Sequence, residues 1–255
     1  MPYDAAAEER LYEFLDELRG KADDTVRAFL VMNLTNAKAM EYRSHGLLRR
    51  MTDLQHNIDR VFSIIAPSAV RTSRLDRADA TAYLHSHLIN IQGAIDNLAH
   101  IWVAETGITR PNGAPLSPNE IGLRPRKRLT TDTLSEQCRD HLASLAGWFE
   151  YIDSYRDALA HRIPPYIPPI TIDDEGQKAW REAEELQRGE GWAFEDWMKG
   201  LSAVQQVNGF EPMMTHSFGE RSRPVYFHPQ ILSDLHTVIE TADHIARELE
   251  ARQGL

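Results

Sequence analysis

Apolar residues recur every three or four positions along most of this chain, a period that long helices packed on one another satisfy and strands do not. Between Ala22 and Ala66 they fall at Val26, Leu30, Leu34, Ala37, Met40, Leu47, Met51, Leu54, Ile58, Val61 and Ile65. That stripe predicts a helix over 22–66, capped by Asp23 or Asp24, ended by Pro67, and bent or split at Gly46. A second helix reads from about Asp76 to Thr106 through Leu84, Leu88, Ile91, Ile95, Leu98 and Trp102, with Gly107 as its stop. A third runs from about Thr133 to Arg162, where Pro164 and Pro165 forbid continuation. The last, over 229–252, carries Pro229 in its first turn and Ile231, Leu235, Val238, Ala242, Ile245 and Leu249 along one face. Helices of this length and pattern imply a mainly α fold, an antiparallel helical bundle.

Two stretches depart from the helical period. Residues 107–130 hold four prolines and then the basic cluster Arg124, Arg126, Lys127 and Arg128. Residues 163–228 open on an extended IPPYIPPI and continue as an acidic helix with Trp180, Trp192 and Trp197. They close on MMTHS and PVYFH, which predict a small β-hairpin. The final helix still needs a bundle partner, so 163–228 reads as an insertion in a single domain spanning 1–255.

Composition narrows the function classes. The net charge of −10 argues against a positive field over the whole surface, though not against a local basic groove. One cysteine, Cys138, excludes an internal disulfide framework and a cysteine-based zinc site. No apolar run approaches the roughly 18 residues of a membrane span, and MPYDAAAEER lacks the layout of a secretion signal. A soluble cytoplasmic protein without a membrane partner is expected.

The densest chemistry lies in YRDALAHRIPPY, which sets Arg156, Asp157 and His161 at the end of a proline-stopped helix. Arg-x4-His alone says little, because 23 arginines and 11 histidines in 255 residues give about one occurrence by chance. The second copy, Arg223 to His228, contains Pro224 and falls in the expected hairpin. In the first, Asp157 and His161 are four apart, so the carboxylate is placed to orient the imidazole. Arg156 is a phosphate clamp and His161 a proton-transfer group, with the proline stop or a second chain bringing them together. On the preceding helix, Asp96, Asn97 and His100 are placed to reach the motif helix, Asp96 as an orienter of Arg156. The Arg124, Arg126, Lys127 and Arg128 cluster is the candidate contact for an RNA backbone. His236, Glu240 and His244 share a helix face at metal-ligand spacing, but no matching motif lies on another helix, so no metal and no cofactor are expected.

An all-α bundle with Arg, a polar residue, three more residues and His at a helix end resembles the HEPN (higher eukaryotes and prokaryotes nucleotide-binding) family, best over 77–166. The resemblance implies a homodimer or pseudo-dimer whose two motifs face each other, and metal-independent endoribonuclease activity, often in toxins or defence effectors partnered by an antitoxin protein. It assigns the motif to Arg156, Asp157 and His161. Asp157 stands where Asn is frequent, and Ile163 stands where one toxin branch carries a modified Tyr. Other members are non-catalytic dimerisation or nucleotide- and partner-binding modules, and that alternative stays open.

Overall fold

A computed structural model of the chain describes residues 3–169, 209–217 and 223–253, together with Lys178, Arg181, Glu182, Glu185 and Glu195, each in helical conformation. The three tryptophans of the insertion lie outside the described residues.

The first helix begins earlier than the apolar stripe indicates. α1 spans Ala5–Val31, with the Asp4 carboxylate accepting from the Ala7 amide at 2.7 Å, so Asp23 and Asp24 are mid-helix residues rather than caps. It ends ahead of Gly46, at Met32, where the backbone becomes extended. The break is held from a distance. Glu105 accepts from the Thr35 amide and hydroxyl, both at 2.8 Å, and from the Asn36 amide at 2.9 Å. Asn36 in turn caps α2 (Ala37–Glu41). A π-helical stretch, Tyr42–Leu47, then leads into α3 (Leu48–Ile64). α4 (Arg74–Thr106) opens with a reciprocal Ser73–Asp76 capping box and closes at Gly107 with φ 67°, the left-handed region that glycine accepts without strain.

Residues 107–127 form an ordered flap. Arg110 Nη2 grips Glu120 at 2.6 Å, and the Ser117 amide and hydroxyl donate to the same carboxylate at 2.7 Å each. The hydrogen bonds from Arg110 and then Ser117 pull the Glu120 carboxyl down to about 2. After a short α5 (Arg128–Thr131), the expected third helix divides at Leu145 into α6 (Glu136–Ser144) and α7 (Ala146–His161). The division lets α6 follow the last helix, α8 (Phe227–Gln253), while α7 lies along α4.

Cross-helix pairs give the directions. Tyr12 meets Phe62 and Arg19 meets Asp59, so α1 and α3 are antiparallel. Asn57 meets Ser86 and Arg50 meets Asn97, so α3 and α4 are antiparallel. His141 meets Thr241 and Ser135 meets Glu248, so α6 and α8 are antiparallel too. An odd number of passes forces the first and last to run the same way, and α1 closes the bundle beside α8 as a parallel neighbour, with Phe14 against His236. No described helix is long and apolar enough to cross a membrane.

The insertion leaves and returns at one place. Tyr166 and Thr215 exchange backbone hydrogen bonds at 2.8 and 3.1 Å, and β1 (Met213–Met214) pairs antiparallel with β2 (Val225–Tyr226). This small sheet is docked on α7. The Tyr155 hydroxyl faces the Met214 and Arg223 carbonyls at 3.0 and 2.7 Å, and His216 Nε2 lies 3.2 Å from Ser154 Oγ.

The bundle interior also holds a charge. Asp234 of α8 has no exposed surface; its Oδ1 accepts from Trp148 Nε1 at 2.9 Å and Gln230 Nε2 at 2.8 Å, and its Oδ2 lies 3.5 Å from Nε2 of the buried His87. Burial and then the Asp234 charge push the neighbouring Tyr151 hydroxyl well above its ordinary value. Asp234→Ala strips two donors of their acceptor and leaves the buried His87 with no carboxylate facing it. It should cost about 3 kcal/mol or more, a fall of at least about 6 °C in Tm for a chain of this size. Asp234→Asn, which keeps an acceptor, should cost less; equal losses in the two variants would contradict this account.

His228 offers a pH prediction. It is fully buried with Nε2–H donating to the Ile65 carbonyl at 2.7 Å, and burial pushes its imidazole down to about 4, only partly offset by that bond. The folded chain therefore keeps His228 neutral while the unfolded chain protonates it below about 6.5. Stability present above pH 6.5 should be lost as pH falls toward 4, by about 3 kcal/mol in all. Urea titrations across that range should show the slope, and His228→Gln, which retains an N–H donor, should flatten it.

Candidate functional site

α7 buries Phe149, Ile152, Tyr155 and Ala158, which leaves Arg156 on the margin of the apolar stripe and Asp157 and His161 exposed. Arg156 Nη1 contacts Asp157 Oδ1 at 3.0 Å, with the two side chains 36% and 54% exposed. His161 is the last helical residue and, among the described residues, makes no hydrogen bond or ion pair. Two expectations change here. The helix continues through His161 and breaks only at Arg162, so the prolines do not swing the imidazole back toward Arg156. At about 100° per residue the two side chains point roughly 140° apart. The Asp157 carboxylate is turned to Arg156, and its ion pairing with His161 is not formed.

The basic cluster divides. Arg124, expected on a solvated loop, is 8% exposed. It forms a two-toothed ion pair with Asp153 on α7, donates Nη2 to Gln92 Oε1 at 2.6 Å, and lies over the Phe149 ring at 5.1 Å. Its charge is met inside the protein by Asp153 and not offered on a solvated loop. Arg126, 72% exposed, reaches the same Asp153 at 3.6 Å. Lys127 Nζ donates to the Asn119 carbonyl within the flap, and Arg128 is exposed at the start of α5.

The α4 residues part company as well. Asp96 accepts from Gln92 Nε2 at 2.9 Å on both oxygens, completing a chain Asp96–Gln92–Arg124–Asp153 that ties α4, the flap and α7 together. Asp96 therefore braces Gln92 beneath the flap, and among the described residues no ion pair joins it to Arg156. Asn97 and His100 turn the other way. Asn97 Oδ1 accepts from Arg50 Nε at 3.2 Å, and His100 stacks on Tyr42 with ring centroids 4.5 Å apart. Burial, with Lys38 adding to it, pushes the His100 imidazole down and favours its neutral form.

Asp153 and Gln92 were missed, yet both sit at helix-neighbour spacing from residues already singled out: Asp153 three before Arg156, Gln92 four before Asp96. The second Arg-x4-His copy is structural at its histidine end, since His228 is buried in the first turn of α8. His236, Glu240 and His244 line a cleft of about 500 Å³ between α1 and α8, with Lys21, Asp24, Asp243 and Arg247. Among the described residues no three His, Cys, Asp or Glu side chains converge as a metal site.

No family model, curated protein or solved structure matches this chain.

Arg124→Ala leaves Asp153 half inside the protein without its partner and Gln92 without its donor. We expect a loss of about 2 kcal/mol, below the full cost of a buried pair because Asp153 is 30% exposed. Limited proteolysis should cut within 107–127 markedly faster than in the wild type; an unchanged cleavage rate there would show that Gln92 and Asp153 do not hold the flap.

Proposed function

We propose that this chain is a metal-independent endoribonuclease of HEPN type, acting as a homodimer. The observation that carries the reading is the state of His161: an exposed imidazole fixed at the end of a helix, without a partner among the described residues and one turn beyond a half-exposed guanidinium. Cleavage of RNA by its own 2′-hydroxyl needs a base for that hydroxyl, an acid for the departing 5′-oxygen, and positive charge beside the phosphorane. One chain supplies one imidazole, and its Arg156 points away from it. Two copies about a two-fold axis supply two of each. One His161 removes the 2′-proton as that oxygen attacks phosphorus, the Arg156 pair neutralises the five-coordinate phosphate, and the second His161 protonates the leaving oxygen. The products carry a 2′,3′-cyclic phosphate and a 5′-hydroxyl. A cytoplasmic toxin or defence role, restrained by an antitoxin, is the biological setting that this reading implies.

The Arg156–Asp157 contact favours a second reading. A guanidinium already holding a carboxylate is a weaker phosphate clamp, which suits a non-catalytic module that dimerises or binds a nucleotide or partner protein.

Purified protein incubated with RNA in excess chelator separates the two. Cleavage that resists the chelator and falls by about 10²–10⁴-fold in His161→Ala supports the nuclease. A stable dimer that leaves RNA intact supports the module.

A further inference from the structure

We infer that the seam between the π-helical stretch and α4, centred on Arg50, is a track that holds the phosphates of single-stranded RNA. This deepens the ribonuclease reading and rests on it for the identity of the strand. It lies on the opposite shoulder of α4 from the flap and was not among the sequence candidates.

Charge is the first observation. The chain is net −10, yet residues 42–52 hold Arg43, His45, Arg49 and Arg50 and no carboxylate. Across the seam, α4 presents Ser86, Asn90, Gly93, Asn97 and His100, with Asp96 the lone acid between 80 and 104. Among the described residues none of the three arginines pairs with a carboxylate, whereas Lys38 at the edge of the seam is matched by Glu41 at 2.8 Å. Arg43 Nη1 donates to the Met32 carbonyl at 2.9 Å, a neutral acceptor that leaves its charge uncancelled. A charge-poor partner wall beside guanidinium groups not neutralised by carboxylates is what an anion site requires.

Preorganisation is the second. Arg50 Nη1 donates to Asn90 Oδ1 at 2.9 Å and Nε to Asn97 Oδ1 at 3.2 Å. The guanidinium lies flat on Gly93, where an added Cβ would come within 2.3 Å of Cζ. Neutral amide oxygens thus fix the fork without cancelling its charge, and among the described residues Nη2 has no acceptor. A planar guanidinium held this way presents paired N–H groups to a phosphate at little further entropic cost. Gly46 permits the close approach on the other side, since a Cβ there would meet the Asn97 amide at 2.7 Å. π-helical turns of this kind are frequent at functional sites.

Aromatic surface is the third. Tyr42 and His100 stack at the end of the seam, both half-exposed, and the neutral imidazole that burial favours extends the stack without added charge. Basic groups along a groove with a stacking platform at its end bind single strands with little sequence preference.

The test is fluorescence anisotropy with a labelled 2′-O-methyl RNA oligonucleotide, which lacks the attacking hydroxyl and is not cut. Three variants divide the claim. Arg50→Gln removes the fork. The exposed Arg49→Gln removes a neighbouring charge without touching the core. Gly93→Ala keeps every charge but drives the Arg50 guanidinium off its seat. Wild-type binding at low salt, weakened about tenfold by Arg50→Gln and Gly93→Ala, with the salt slope reduced by about 0.7 for each lost arginine, is the expected result. Wild-type affinity and slope in all three variants would overturn the track, even if chelator-resistant cleavage lost in His161→Ala upholds the nuclease. Variant-sensitive binding by a protein that never cuts unmodified RNA would sustain the track and sink the nuclease. Failure of the wild type to bind the oligonucleotide, or binding abolished in favour of polyglutamate, would overturn the track in favour of an acidic protein partner.

Discussion

Burying Asp234 among α4, α7 and α8 sets the rotation of those helices. A carboxylate out of water is stable only where donors are aimed at it, and Trp148 and Gln230 supply them while His87 faces its second oxygen. Hydrophobic contacts tolerate a helix turned by tens of degrees; hydrogen bonds of this geometry do not. With His87 directed inward, α4 must present His85, Gln92, Gly93 and Asp96 on the opposite side. Both polar features of that helix follow from this choice, the flap anchor on one shoulder and the arginine seam on the other.

α7 carries the attachments of two appendages. Arg124 fastens the flap to Asp153, and the root of the insertion is bound at Ser154 and Tyr155. The next residue is Arg156. These contacts lie within one helical turn of Arg156, whereas His161 lies beyond the last of them on α7.

The divergence of Arg156 and His161 in one chain is a consequence of five-residue spacing on an uninterrupted helix, and the proposed cleavage therefore requires a second copy of the chain. In the proposed nuclease, symmetry turns two side chains that diverge within one chain into four placed around one phosphodiester.

Local information determined much of the architecture. Periodicity located α4, the body of α3 and α8, and the proline and glycine stops, because a buried stripe and a blocked backbone are properties of neighbouring residues. The turn-flanked MMTHS and PVYFH likewise located the small sheet. Long-range partners decided the rest. The break after Val31 persists because Glu105, seventy residues away, satisfies the freed amides of Thr35 and Asn36. Arg124 looked like a solvated loop charge until Asp153 and Gln92 enclosed it. The same holds for Asn97 and His100, whose partners lie on α3 and the π-helical stretch. A side chain's charge and reach are written in the sequence; which opposite group it meets, and hence whether its charge is spent inside the protein or offered outside, is fixed only when distant helices come together.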